Sequence, residues 1–181
     1  PFEEDNARGE PSAGIFVNGQ TTFGDAVISA HSIAFNQKRD GLAIKTELMA
    51  PPDENAALWL VTLKNESEAE KKAEIFAYAA VALTTVEEAR AHKAFHKLFI
   101  TAHRPDPNTL CFTKNDRRGE KRTALWARLL WEGPVEAATD RYDCVGRGNS
   151  IKKPAFLTQG VPKSGVRRTP LEPCALFRAE A

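Results

Sequence analysis

Cysteine is scarce in this sequence, with three in 181 residues. Cys111, Cys144 and Cys174 are far apart and odd in number. They show neither C-x-x-C metal spacing nor the density of a disulfide framework, so they read as buried or half-buried thiols of a reducing compartment. Charge of one sign is equally lacking. The formal net charge is +1, which excludes a bulk field that would gather nucleic acid or a membrane surface. The pairs Lys121-Arg122 and Arg167-Arg168 are too short to alter that and read as solvated surface. No apolar run reaches the roughly 18 residues a bilayer span needs. No charged-then-apolar signal pattern opens the chain. Neither G-x-x-x-x-G-K-[ST] nor G-x-G-x-x-G occurs, which removes the common phosphate-cradling loops. The sequence opens on Pro1, and its first eleven residues are polar and acidic. The expectation is a piece of a longer protein.

The 181 residues, 42% hydrophobic and 27% charged, fit one domain with a real core. The dominant signal is alternation of period two. Residues 24–35 alternate with apolar side chains on both faces. Asp40-Gly41 is a turn signal, with residues 36–39 lengthening the connection into a looped hairpin, and residues 42–49 return. Residues 57–64 form an apolar strand whose inward stripe is either Leu58, Leu60 and Thr62 or Trp59, Val61 and Leu63. Residues 71–83 alternate again. Residues 86–92 have helical composition. Residues 95–102 and 109–114 read as strands separated by the breaker Arg104-Pro105-Asp106-Pro107-Asn108. Residues 123–131 alternate, 135–142 alternate weakly, 161–173 read as loop and 174–178 as a last strand. Nine or ten short strands at this spacing predict an all-β, antiparallel β-sandwich with at most one or two short helical turns. Residues 1–23 read as a polar, partly disordered lead-in, and 24–181 as the sandwich.

Candidate chemistry is sparse. His92 and His96 stand four apart, a spacing that puts two ligands on one helix face. No glutamate follows His92 and no third ligand is evident, so neither a metal site nor a cofactor is expected. His31 and His103 read as sheet-face and loop histidines. Asp140, Asp143, Glu132 and Glu136 could in principle supply a carboxylate pair for glycosidic chemistry. Pairing of Asp140 with Arg141 or Arg147 is the simpler expectation. Gly146-Arg147-Gly148 can turn sharply and project a guanidinium, whose planar donor fork suits phosphate, carboxylate or vicinal sugar hydroxyls.

Five stretches occur in an order that resembles the β-sandwich domain of glycoside hydrolase family 94, formerly glycosyltransferase family 36. Asp40-Gly41-Leu42 opens a strand. Leu60 to Ser67 is similar to L-T-L-x-N-x-S, and Phe76-Ala77-Tyr78-Ala79 to x-S-Y-x. Ala91 to Phe99 resembles A-H-P-A-F-x-K-L-F. Thr139-Asp140-Arg141, Gly146-Arg147-Gly148 and Lys153-Pro154-Ala155 resemble E-T-D-R-x-x-F-x-G-R-G and N-P-x-A. Ala138, Lys93 and Cys144 depart from that pattern. The G-R-G form looks closer to the cyclic β-1,2-glucan synthase branch than to cellobiose phosphorylase.

The resemblance implies a supersandwich of galactose-mutarotase-like type that precedes an (α/α)6 catalytic barrel in the same chain. It implies a fragment without catalytic residues, supporting oligomerisation as a possible homodimer and lending residues to the rim of a β-glucan or oligosaccharide site. Arg141 and Arg147 are the substrate-binding candidates. It also implies a bacterial inner-membrane enzyme with this domain at the cytoplasmic face, neither inserting in the membrane nor binding nucleic acid. The rival expectation is a stand-alone carbohydrate-binding or protein-interaction sandwich. That would need a solvent-exposed aromatic platform, whereas Trp59, Trp126 and Trp131 sit in apolar strands and are expected to be buried.

Overall fold

Alternating sequence folds into antiparallel strands where turns reverse the chain, and here two Asx-Gly pairs do so. A computed structural model of the protein describes residues 13–23, 25–91, 95, 97–115 and 122–181. The chain divides into two compact units, one of Gly14–Ile75 with Ala181 and one containing Phe76–Glu180.

The first unit opens with β1 (Ala13–Val17) and β2 (Gln20–Thr21), joined by Asn18-Gly19. A four-stranded antiparallel sheet follows in the order β3 (Ala26–Ile28), β4 (Ser32–Arg39), β5 (Leu42–Met49), β6 (Leu58–Asn65). Both hairpin turns hold their two central residues at positive φ: Asn18 48°, Gly19 76°, Asp40 50° and Gly41 75°. That geometry matches the twist of the flanking strands and favours Asn or Asp followed by Gly. Arg39 pairs directly with Leu42, so residues 36–39 are strand and the turn is a two-residue one, not the looped connection expected from sequence.

Residues 24–35 are not one strand. The chain reverses after Ile28, where Ser29 N donates to Ser32 O at 2.9 Å and Ser32 N donates back to Ser29 Oγ at 3.1 Å. His31 therefore lies at a turn. Part of the expected lead-in is also strand, and Ile15, Phe16 and Val17 of β1 are buried. The core of this unit gathers Val17, Leu42, Ile44 and Ala73, with Leu63 and Ile75 packed against it. Leu63 pairs with Ile44, which settles the inward stripe of β6 as Trp59, Val61 and Leu63. Leu58 and Leu60 are exposed.

β7 (Glu74–Ala80) leads into the second unit, where the sheet order is β11 (Glu136–Asp140), β12 (Pro173–Glu180), β7. The other sheet is β10 (Arg122–Arg128), β9 (Thr109–Asn115), β8 (Ile100–Asp106). A core cluster of Val81, Leu83, Ile100, Ala102, Leu110, Phe112, Ala137, Ala175 and Phe177 draws on the strands of both. Each large side chain fully buried there is worth about 1.5–3 kcal/mol.

β8 begins only at Ile100, later than the strand expected from residue 95. Leu98 N bonds Phe95 O and Ile100 N bonds Lys97 O, which makes the preceding residues a turn, and Phe95, Leu98 and Phe99 are exposed. The Arg104–Asn108 breaker is mostly strand, because a register shift between His103 and Asp106 accommodates Pro105. His103 accordingly stands on β8 rather than in a loop. Among the described residues helix is limited to α1 (Val86–Ala91) and the single turns α2 (Arg141–Cys144) and α3 (Phe156–Gln159). No helix among the described residues is long and apolar enough to cross a membrane. His92 and His96 lie outside the described residues.

Candidate functional site

The loop from Thr139 to Gly148 leaves the end of β11 and turns at once into α2. Its first two side chains are buried fastenings. Thr139 Oγ1 donates to Arg167 O at 3.0 Å and accepts from Arg167 N at 2.8 Å. The Asp140 carboxylate accepts from Tyr142 N at 3.0 Å, capping α2, and from Leu171 N at 2.8 Å. Asp140 is thus held by backbone N–H groups, which corrects the expected pairing with Arg141 or Arg147. Asp143 pairs with neither arginine. It takes Arg167 Nε at 2.6 Å and the Ser164 hydroxyl at 2.7 Å.

Arg141 is a brace. Its Nη1 lies 3.6 Å from Glu172 Oε2, while Lys97 Nζ holds Glu172 Oε1 at 2.6 Å. The remainder of the loop is anchored from below by the buried residues Cys144, Val145, Ile151 and Phe156. Phe156 packs on Phe76 and Tyr78 at centroid distances of 5.1 and 6.1 Å. Burial, reinforced by neighbouring Cys174, pushes the Tyr78 phenol far up, so it stays protonated. Cys144 and Cys174 are free thiols with sulfurs 3.8 Å apart.

Arg147 is different. Gly146 and Gly148 flank it with φ of 92° and 78°, conformations that L side chains rarely adopt. They lift Arg147 to the surface, its guanidinium carbon 5.3 Å from the Tyr142 ring centre. No carboxylate pairs with Arg147 among the described residues, and Tyr142 is 39% exposed. An aromatic face beside an unpaired donor fork can engage a hydroxylated or anionic ligand. Of the two arginines selected from sequence, one is committed to an ion pair and the other presents itself to solvent. Sequence reading missed Tyr142, although a Tyr five residues before an arginine between glycines was there to be seen.

Most of the other signature stretches hold the fold. Asn65 Oδ1 accepts from Ser67 N at 3.0 Å, so the L-x-N-x-S stretch is a strand end and an Asx turn. Phe76 and Tyr78 of β7 are buried. Among the described residues no group of three or more His, Cys, Asp or Glu is placed to hold a metal. Two shallow grooves are lined by other residues than those of the loop. One of about 250 Å³ is lined by Asn36, Lys38, Lys45, Thr62 and Lys64. Another of about 650 Å³ is lined by Asp106, Asn108, Arg128, Trp131 and Glu132. The tryptophans also differ from expectation: Trp59 and Trp131 are half-buried, but Trp126 is 63% exposed.

Antiparallel strands, little helix and a glycine-flanked arginine loop define an all-β sandwich domain. The sequence model of the glycosyl hydrolase 94 supersandwich domain matches residues 17–180. The chain belongs to that family, in whose enzymes this is a non-catalytic N-terminal domain. No curated protein sequence matches the chain.

Proposed function

We propose that the domain serves a β-glucan-processing enzyme, a cyclic β-1,2-glucan synthase or a related inverting disaccharide or oligoglucan phosphorylase. Its role there is to support assembly, including a homodimer, and to furnish part of the sugar-site rim beside an (α/α)6 barrel of the same chain. In the synthase case the parent enzyme sits in a bacterial inner membrane with this domain at the cytoplasmic face. The observation that carries the reading is Arg147 over Tyr142, lifted by two glycines and free of any carboxylate among the described residues. The deep anchoring of the loop around it supports a fixed presentation of that pair, since a preorganised donor loses less on binding.

The test is kinetic, in the full-length parent. Arg147→Ala is expected to raise KM for the glucan acceptor or disaccharide with little change in kcat, whereas Arg141→Ala leaves both near wild type. Unchanged KM in Arg147→Ala defeats the assignment of the loop. Sugar release by the isolated domain defeats the non-catalytic role.

A further inference from the structure

Strand β10 turns Leu125 and Ala127 toward the core, so alternation sends Trp126 and Arg128 outward. Trp126 stands opposite Cys111, and Cys111 opposite His103. The indole and imidazole meet edge to face, 6.3 Å apart at 78°. On the same face Thr113 lies opposite Ala124, and its hydroxyl is 2.8 Å from that of Thr101. The outward positions around Trp126 (Thr101, His103, Thr113, Ala124, Arg128) hold no carboxylate. Along this edge only Trp126 and, two residues past Arg128, Leu130 expose a large apolar side chain among the described residues. That is too little apolar area for a protein interface core, which wants several such anchors.

Two residues beyond Trp126, Arg128 enters the groove that Asp106, Asn108, Trp131 and Glu132 also line. Its walls are tied together. Asn108 N donates to Asp106 Oδ1 at 2.9 Å, Asn108 Nδ2 to Trp131 O at 2.7 Å, and Leu129 N to Asn108 O at 2.9 Å. Arg104 bonds Val135 O at 2.8 Å and also Pro107 O. Trp131 Nε1 has no partner among the described residues. The groove therefore offers one cation, two carboxylates and neutral polar groups, beside a flat exposed indole. A β-linked glucosyl ring is complementary to this arrangement. Its axial C–H bonds make an apolar disc that stacks on indole, and its equatorial hydroxyls need donors and acceptors in mixture. The near balance of charge suits an uncharged ligand better than a phosphate or a basic peptide.

We propose that this face is a second glycan-binding surface, distinct from the Arg147 loop, where one glucosyl ring of a β-linked glucan stacks on Trp126 and its neighbour's hydroxyls are held by Arg128, Asp106 and Glu132. It rests on the reading of the parent as a β-glucan enzyme, and it would keep a growing or trimmed chain near the catalytic barrel.

The full chain is titrated with cellopentaose, laminaripentaose and a β-1,2-linked glucopentaose, with α-linked maltopentaose as control, following indole N–H signals by NMR. The Trp126 signal shifts with at least one β-linked sugar. Trp126→Ala and, independently, Arg128→Ala weaken that binding about tenfold or more, with unchanged Tm, and Arg147→Ala does not. Absence of any Trp126 shift with the β-linked sugars overturns the proposal, as does an equal response to maltopentaose. Binding lost only in Arg147→Ala overturns it while leaving the loop reading intact. Self-association abolished by Trp126→Ala, without a sugar response, assigns the face to a second copy of the chain instead.

Discussion

The Asp140 carboxylate joins two segments far apart in sequence, accepting from Tyr142 N on one oxygen and from Leu171 N, 2.8 Å away, on the other. Asp140 is buried and both donors depend on it. Asp140→Ala is expected to lower stability by about 2–4 kcal/mol, the sum of a lost helix cap and a stranded N–H. Asp140→Asn keeps the shape but turns an amide toward one of the donors, so it recovers only part of that. Urea denaturation of the two variants measures both values.

Arg141 and Arg147, alike in sequence, separate on substitution. Arg141→Ala leaves Glu172 with Lys97 and costs under about 1 kcal/mol, as expected of a partly exposed pair. Arg147→Ala is expected within about 0.5 kcal/mol of wild type, while raising KM of the parent about tenfold, near 1.4 kcal/mol of binding. Thermal melts of the domain alongside steady-state kinetics of the parent check the split.

The two glycines beside Arg147 also differ. A Cβ on Gly146 would stand 2.9 Å from Asn149 Nδ2, whereas one on Gly148 meets nothing within 4 Å. Both positions carry the left-handed penalty of roughly 1–2 kcal/mol. Gly146→Ala must also turn aside the end of the exposed Asn149 side chain, a small added cost, so its fall in Tm only slightly exceeds that of Gly148→Ala.

Lys38 donates to Glu66 at 2.9 Å, and that bond, with the attraction of the ammonium, lowers the Glu66 carboxyl below 4.5. A depressed carboxyl stabilises the fold above its unfolded value, and this contribution is lost as pH falls through the folded one. Carbon-13 titration should show the Glu66 midpoint rising toward 4.5 in Lys38→Ala. Glu88, lowered first by the Thr84 hydroxyl and then by Lys114, should not move.

Cys111, Cys144 and Cys174 are all buried, and burial raises both the Cys111 and Cys174 thiols, the latter aided by its bond with Cys144. Folded chain is expected to react with Ellman's reagent hardly at all, and denatured chain to release three equivalents. Rapid reaction of a thiol in the folded chain would contradict that burial.

Strand chemistry was legible where the turn chemistry was strong. Asp40-Gly41 announces its hairpin, and Asn18-Gly19 carried the same signal inside a stretch that polarity alone marked as lead-in. The turn at Ser29–Ser32 has no Gly or Pro, and its serines close the reversal through their own side chains, so alternation runs unbroken across it. Period two also cannot say which face meets water when both carry apolar residues, which is why Trp126 looked like core. At the loop, the arginines were legible as chemistry but not as roles. The partner that commits Arg141 is Glu172, thirty-one residues on, and no local pattern points there.

Ala73 and Ala181 exchange both backbone hydrogen bonds at 2.8 Å, and Ala73 belongs to the core of the first unit. That unit is therefore closed by a residue synthesised more than a hundred positions later. During translation its early hairpins can form, but their last seam waits until residue 181 emerges. Until then the backbone N–H and C=O of Ala73 lack their partner strand and are open to pairing with another nascent chain. Loop closure over this distance slows folding more than it weakens the finished fold.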